Sequence, residues 1–392
     1  MKKIGILFGQ ERSFPQAFID RVNSKNVKGV QAEVVNIDKV MQGETTEYAV
    51  IIDRISQDVP FYRGYLKNAA IGGTAVINNP FWWSADEKFF NNALAVKVGV
   101  PVPNTVLLPS KLLPVDTSEM SFTNLAFPLD WEGIFQYIGF PAYMKPFAGG
   151  GWKSVYRVDG MGDFFEKHSE TGQLVMMLQE EIQFDHYFRC YCLGGKYVHV
   201  MPYEPRNPHH LRYAAENTAG EKITKLVHDY VLRLNHALGY DFNTVEFAVR
   251  DGIPYAIDFC NPAPDADVNS VGAENFEWIV ENAAKFAIER ALAQKPGQMN
   301  LTWGTFIQDA VKGNKVGIPT APSAKAAPAK KLATKKPAPK KAEAPKKAAP
   351  TPAKAKTKPP VKKAAPKAAP ALKKAEAPKA EAKPKKSAAK KK

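Results

Sequence analysis

Residues 241–262 read DFNTVEFAVRDGIPYAIDFCNP. Two apolar runs meet at Asp251-Gly252, a dipeptide that supplies the backbone angles of a tight hairpin turn. Glu246 lies five residues before this turn and Asp258 six residues after it, so the two acids can face one another across the strand pair. Asn261 follows just beyond. The neighbours are Val245, Phe247, Ile257 and Phe259. Carboxylates gathered on one such sheet face repel each other and lose hydration unless a cation lies between them. Two acids and an amide form a hard-oxygen set suited to Mg²⁺. The plainer alternative is that each acid points to water from an exposed face.

A second stretch, PAYMKPFAGGGWKSVYRV (141–158), raises a matching question. An apolar run ends in Lys145, and three glycines separate it from Lys153. Glycines let backbone N–H groups converge on an anion without Cβ interference, and the two lysines add positive charge. The loop is not a Walker A motif, which needs Gly-Lys followed by Ser or Thr at a helix start; here Trp152 separates Gly151 from Lys153. Nor is it GxGxxG. Alone, it reads equally as a phosphate cradle or as the loose tip of a hairpin.

Around these two hairpins the chain alternates strand and helix signals. Residues 3–9, 30–37, 48–55 and 74–80 read as strands, 13–23 as a helix capped by Ser13, and 61–71 as helical. That alternation predicts an open α/β sheet. Residues 84–99 read as a helix, with Ser84 and Glu87 at capping-box spacing and Gly99 past its end. A short helix is expected at 130–139, and 110–129 fits no element. Residues 172–184 run into a strand, and 187–205 read as two strands joined at Gly194-Gly195. The clearest amphipathic helix spans 220–240, with Ile223, Leu226, Val227, Tyr230, Val231 and Leu234 on one stripe. A final helix is expected at 274–294.

The charge is concentrated at one end. Residues 321–392 hold 24 lysines, no arginine and three acids, a sum of +21, whereas the whole chain carries +15. Residues 1–320 therefore sum to −6, and the high isoelectric point belongs to the tail. With 13 prolines and no aromatic residue, the tail cannot bury enough apolar surface to offset the entropy of ordering, and it is expected to be disordered. Cys190, Cys192 and Cys260 lack the paired spacing of a zinc site and read as small buried hydrophobes in a reducing compartment. No run approaches the length of a membrane span, and no cleavable leader follows the first residues. The expectation is a soluble, cytoplasmic protein.

The order of these pieces resembles the ATP-grasp superfamily, most closely the branch of glutathione synthetase and the ribosomal-protein glutamate ligases. The residues that carry the resemblance are Asp86-Glu87-Lys88, VPVPNT (100–105), MKPFAGGG (144–151), LQEEI (178–182), FRCYCLGGK (188–196) and EFAVRDGIPYAIDFCNP (246–262). It covers about residues 48–265. The implied fold is an α/β, more strictly α+β, ATP-grasp architecture. A small N-terminal domain (1–83) precedes an ATP-grasp domain of two β-sheet subdomains (84–312) and a Lys/Ala/Pro-rich tail (313–392) similar to linker-histone tails.

By this resemblance Lys88 and Lys145 would hold the phosphates of ATP, with Lys153 nearby and Gly149, Gly150 and Gly151 forming a lid. Glu180, Glu181 and Ile182 would meet adenine, with Glu181 or Asp185 reaching the ribose. Glu246, Asp258 and Asn261 would bind Mg²⁺ or Mn²⁺. Arg189 would stand near the acceptor or phosphate, with Arg206 or Arg212 replacing an arginine expected near Pro202-Tyr203. The family's Asn lies two residues after the second acid; here Asn261 lies three after it. The implied activity is ATP-dependent ligation of a carboxylate to an amine, on small-molecule or peptide substrates, through an acyl-phosphate. The alternatives are a kinase or phosphotransferase of the same fold and a nucleotide-binding scaffold without catalysis, tethered to nucleic acid. The tail's dense lysine suits attraction to nucleic acid or another polyanion rather than base reading.

Overall fold

The first apolar run forms the strand β1 (Lys2–Leu7), followed by α1 (Ser13–Ser24), β2 (Val30–Val34), β3 (Tyr48–Asp53), α2 (Pro60–Ile71) and β4 (Ala75–Ile77). This is a computed structural model that describes residues 1–81, 87–213, 216 and 218–299, all within one compact unit, Met1–Ala327. The expected Ser84 cap and the tail lie outside the described residues. The four strands pair in parallel in the order β2-β1-β3-β4. Parallel strands are covered on both faces, and alternate residues divide accordingly. Ile4, Ile6, Val50 and Ile52 join a core with Phe14 and Phe18 of α1, while Leu7, Ile51 and Val76 pack with Leu66 and Ala69 of α2.

Ser13 does not cap α1. Arg12 occupies the cap position and makes no side-chain capping bond. The Ser13 hydroxyl instead donates to Asp267 Oδ2 at 2.8 Å and accepts from the Val268 N–H at 3.1 Å, tying the helix to a distant loop.

The next segment comprises α3 (Lys88–Lys97), β5 (Thr105–Leu108), α4 (Trp131–Ile138), β6 (Ala142–Pro146), β7 (Tyr156–Val158), α5 (Met161–Ser169) and β8 (Met176–Glu180). Its strands form an antiparallel sheet ordered β5-β8-β6-β7, backed by Phe135, Ile138 and Phe164. The expected hairpin around the glycines is present, with Ala142 opposite Val158 and Met144 opposite Tyr156. Helix α5 has no counterpart among the sequence expectations, because it buries only Phe164 and His168.

The remaining elements are β9 (His186–Leu193), β10 (Tyr197–Pro202), α6 (Gly220–Leu238), β11 (Phe242–Arg250), β12 (Ile253–Asp258), α7 (Val268–Val271) and α8 (Ala273–Ala293). The strands form a third sheet, antiparallel, ordered β10-β9-β11-β12. One face packs Phe188, Cys190, Cys192, Val245 and Phe247 against Val227, Val231 and Leu234 of α6, which places all three cysteines, free and buried, as the sequence implied. Helix α8 returns to cover the first sheet through Ile279, Ala283, Ala287 and Ile288. Among the described residues no helix is long and apolar enough to cross a membrane.

Candidate active site

The β11–β12 hairpin turns at Asp251 and Gly252, with φ of +52° and +74°, the paired positive angles of a tight two-residue turn. From the turn the register runs Arg250↔Ile253 to Phe247↔Ala256, then shifts so that Glu246 faces Asp258. Ile257 is the extra residue of a β-bulge. Without it Asp258 would pair one position further on, with its side chain on the opposite face. The bulge therefore brings the two acids together.

Strand β9 supplies the next side chains. Arg189 lies directly opposite Glu246 and its Nη1 donates to Glu246 Oε1 at 3.1 Å. Tyr187, two residues earlier and so on the same face, donates its hydroxyl to Glu246 Oε2 at 2.6 Å. Burial raises the Glu246 pKa above the ordinary carboxylate range; Arg189 opposes this and the charge of Asp258 adds to it. Burial and the Glu246 charge likewise raise the Tyr187 hydroxyl. Asn261 is held by its own amide: Nδ2 donates to the Thr244 carbonyl at 3.1 Å, and its backbone N–H donates to Asn243 Oδ1 at 2.8 Å.

Lys145 approaches from the second sheet. Lys145 Nζ donates to Gln179 Oε1 at 2.9 Å, and Gln179 Nε2 donates in turn to Thr105 Oγ1 at 2.9 Å, so a three-strand relay aims the ammonium. Lys88 opens α3, and its backbone N–H donates to the Phe147 carbonyl at 2.9 Å, fixing it beside the chain just past Lys145. Burial lowers the Lys145 pKa to about 8; Asp258 pulls it up, Lys88 pushes it down and Glu246 pulls it up. Lys145 is half-buried and still reached by solvent. Lys145, on the second sheet, is thus within electrostatic reach of Lys88 at the start of α3 and of the opposed acids Glu246 and Asp258 on the third sheet.

Other expected residues stand differently. Gly149, Gly150, Gly151 and Lys153 form an exposed loop. A Cβ on any of the three glycines would meet open space, and only Gly149 and Gly151 have positive φ, +88° and +70°. Glu180 accepts from Arg250 Nη1 at 2.7 Å, an ion pair that ties the second sheet to the third. Glu181 accepts from Arg157 Nη2 at 3.0 Å and from Gln183 at 3.0 Å. Ile182 is buried, and Asp185 is exposed with its N–H donated to the Val249 carbonyl.

Arg206 does not touch Glu246 or Asp258 directly. It pairs with Glu204, two residues away, and lies 4.3 Å from the Phe184 ring centroid. Arg212 Nη1 donates to the Tyr203 hydroxyl at 3.4 Å, and Tyr203 lies under the Arg189 guanidinium. Tyr187, Gln179, Arg250, Tyr203 and Tyr213 belong to the same neighbourhood and were not singled out from the sequence. Alternation along β9 and β11 places Tyr187 beside Arg189, and Arg250 on the face of Glu246; that was the available signal.

Among the described residues no three His, Cys, Asp or Glu side chains gather into a ready-made metal cage. Magnesium is commonly held by one or two carboxylates, with phosphates and water completing the shell. The opposed Glu246–Asp258 pair, with Glu246 partly buried and its charge disfavoured, fits such a cation.

No family model and no curated protein sequence matches the chain. Solved structures do. The RimK domain ATP-grasp protein of Sphaerobacter thermophilus is 14% identical with a TM-score of 0.52, and the match covers 73% of this chain and 99% of that one. The VanG D-Ala:D-Ser ligase of Enterococcus faecalis is 13% identical with a TM-score of 0.52, covering 74% of this chain and 99% of that one. At these identities the likeness is one of fold: this chain has the ATP-grasp fold.

Proposed function

We propose that the chain is an ATP- and Mg²⁺-dependent ligase that joins a carboxylate to an amine. The observation that carries this reading is that Lys145, held by Gln179 on the second sheet, lies within electrostatic reach of Asp258 and Glu246 on the third and of Lys88 at the start of α3. A triphosphate beside them would meet ammonium groups on its oxygens, and Glu246, oriented by Tyr187 and Arg189, would hold the cation together with Asp258. That cation would neutralise charge on the transferred phosphoryl group. One neighbour of the same fold is named as a D-Ala:D-Ser ligase, and ligation is accordingly preferred over phosphorylation of a final product.

In this reading a substrate carboxylate oxygen attacks the γ-phosphorus, the bond to the β-phosphate oxygen breaks and ADP leaves. An amine then attacks the acyl carbon, its proton is released, and phosphate departs. No protein nucleophile is needed; positioning and charge do the work. Lys145 and Lys88 bind and orient the phosphates. Arg189, beside Glu246 and backed by Tyr203, holds negative charge at the reacting end. Glu180, Glu181, Ile182 and Asp185 would border the base and ribose, and the glycine loop with Lys153 would cover the phosphates.

The deciding experiment supplies ATP, Mg²⁺ and panels of amino acids, polyamines and short peptides, and follows ADP release and product mass. An amide product with one free phosphate per ADP is expected, reduced at least 100-fold in Glu246→Gln and Asp258→Asn. Tight ATP binding with no ADP from any panel would overturn the ligase. A phosphorylated product would assign a kinase instead.

A further inference from the structure

A cavity of about 340 Å³ opens between the chain following β4, the Gly194-Gly195 turn, the end of α6 and Arg290 of α8. The turn lies five residues along β9 from Arg189, about 17 Å at the rise of a strand, so this space is separate from the Glu246–Asp258 cleft. Its volume is in the range of small-ligand sites, about 300–1,000 Å³.

The wall carries opposite charges that do not meet. Asp241 lines the cavity; its N–H donates to Asn78 Oδ1 and its carbonyl accepts from the Gly194 N–H. Its carboxylate has no hydrogen bond or ion pair with any described residue. Arg290, on the facing helix, acts on Asp241 through its charge but does not close to an ion pair. Two such groups on one wall ordinarily pair directly or are bridged. Asn235, only 1% exposed, also lines the space and leaves its Oδ1 without a partner. Helix α6 ends here, adding the negative end of its dipole on the side of Asp241. Burial raises the Asp241 pKa, with Arg290 opposing, as expected of a carboxylate awaiting a positive partner.

We propose that this cavity binds a small zwitterion, a free α-amino acid, with its carboxylate on Arg290 and its ammonium on Asp241 beside the end of α6. The lining offers acceptors in Asp241 and Asn235 Oδ1 and a fixed cation in Arg290, with His236 beside them, so a simple anion or a simple cation would satisfy only part of it. The occupant would sit at the root of β11, the strand that carries Glu246.

Isothermal titration of the full chain without nucleotide tests this, with L-alanine, L-glutamate and L-lysine as probes and N-acetyl-L-alanine and L-alaninamide as controls. At least one free amino acid is expected to bind saturably, and the controls, each lacking one charge, at least tenfold more weakly. Arg290→Gln and Asp241→Asn should each weaken binding at least tenfold, the usual weight of one charged hydrogen bond. Lys145→Met should leave it unchanged. If Asp241→Asn lowers the melting temperature, Arg290→Gln, on a half-buried helix face, carries the test alone. Absence of saturable binding by all three amino acids overturns the proposal. So does binding that resists Arg290→Gln but is lost in Lys145→Met, which would place the ligand in the cleft.

Discussion

Lys145 concentrates the electrostatics of the cleft in one side chain. Its ammonium is present below a pKa of about 8 and is lost as pH rises through that value. Lys88, Asp258 and Glu246 are the charged groups that act on it, and a triphosphate adds negative charge that favours the protonated form. ATP affinity is therefore expected to fall between pH 7 and pH 9, by up to a factor of about ten per unit above the free pKa. Lys145→Met should weaken ATP binding roughly 10- to 100-fold at pH 7, the range for a charged hydrogen bond, and should flatten the pH profile. A nucleotide titration across this range checks both. A sloping profile in the methionine variant would mean that another group carries the effect.

At the scale of elements, the two hairpins were legible because their signals are local. Asp251-Gly252 marks a turn by backbone angle alone, and their similar distances from it place Glu246 and Asp258 at nearly the same level of the hairpin, although regular alternation would put them on opposite faces. The bulge at Ile257 leaves no such mark, since one extra apolar residue looks like the rest of the strand. Helix α5 buries too few residues for its period to stand out, and Ser13 resembles a cap because its role depends on Asp267, far along the chain. The pairing of Glu180 with Arg250 and of Glu181 with Arg157 is likewise set by sheets meeting in space. Two expectations follow. Gly150 has neither positive φ nor a close neighbour, so Gly150→Ala should leave the melting temperature unchanged; if the loop folds over phosphates, it should also raise the KM for ATP several-fold. Asn78 uses all its hydrogen-bonding groups on the root of β11: Oδ1 accepts from the Asp241 and Phe242 N–H groups, and Nδ2 donates to the Phe242 and Pro262 carbonyls. Asn78→Leu should cost about 3 kcal/mol, since each orphaned buried group costs about 1–3 kcal/mol, and lower the melting temperature by roughly 6–12 °C.

At the scale of the whole molecule, the sequence divides into a body of net charge −6 and a tail of +21. These charges predict two separable behaviours. Attraction of a lysine-rich segment to a polyanion is dominated by counterion release, so it weakens steeply with salt and requires no folded pocket. Turnover in the cleft depends on Lys88, Lys145, Glu246 and Asp258, all of which precede the tail. A chain ending at residue 320 should therefore keep its kcat for ATP, and it should pass through a heparin column at low salt. The full chain should be retained there and elute as salt is raised. Equal retention of both chains would locate the basic surface within the body, against its net charge. A fall in kcat on truncation, with KM for ATP unchanged, would mean that the tail takes part in delivering the acceptor, since the nucleotide site would then be intact while the second substrate arrives poorly.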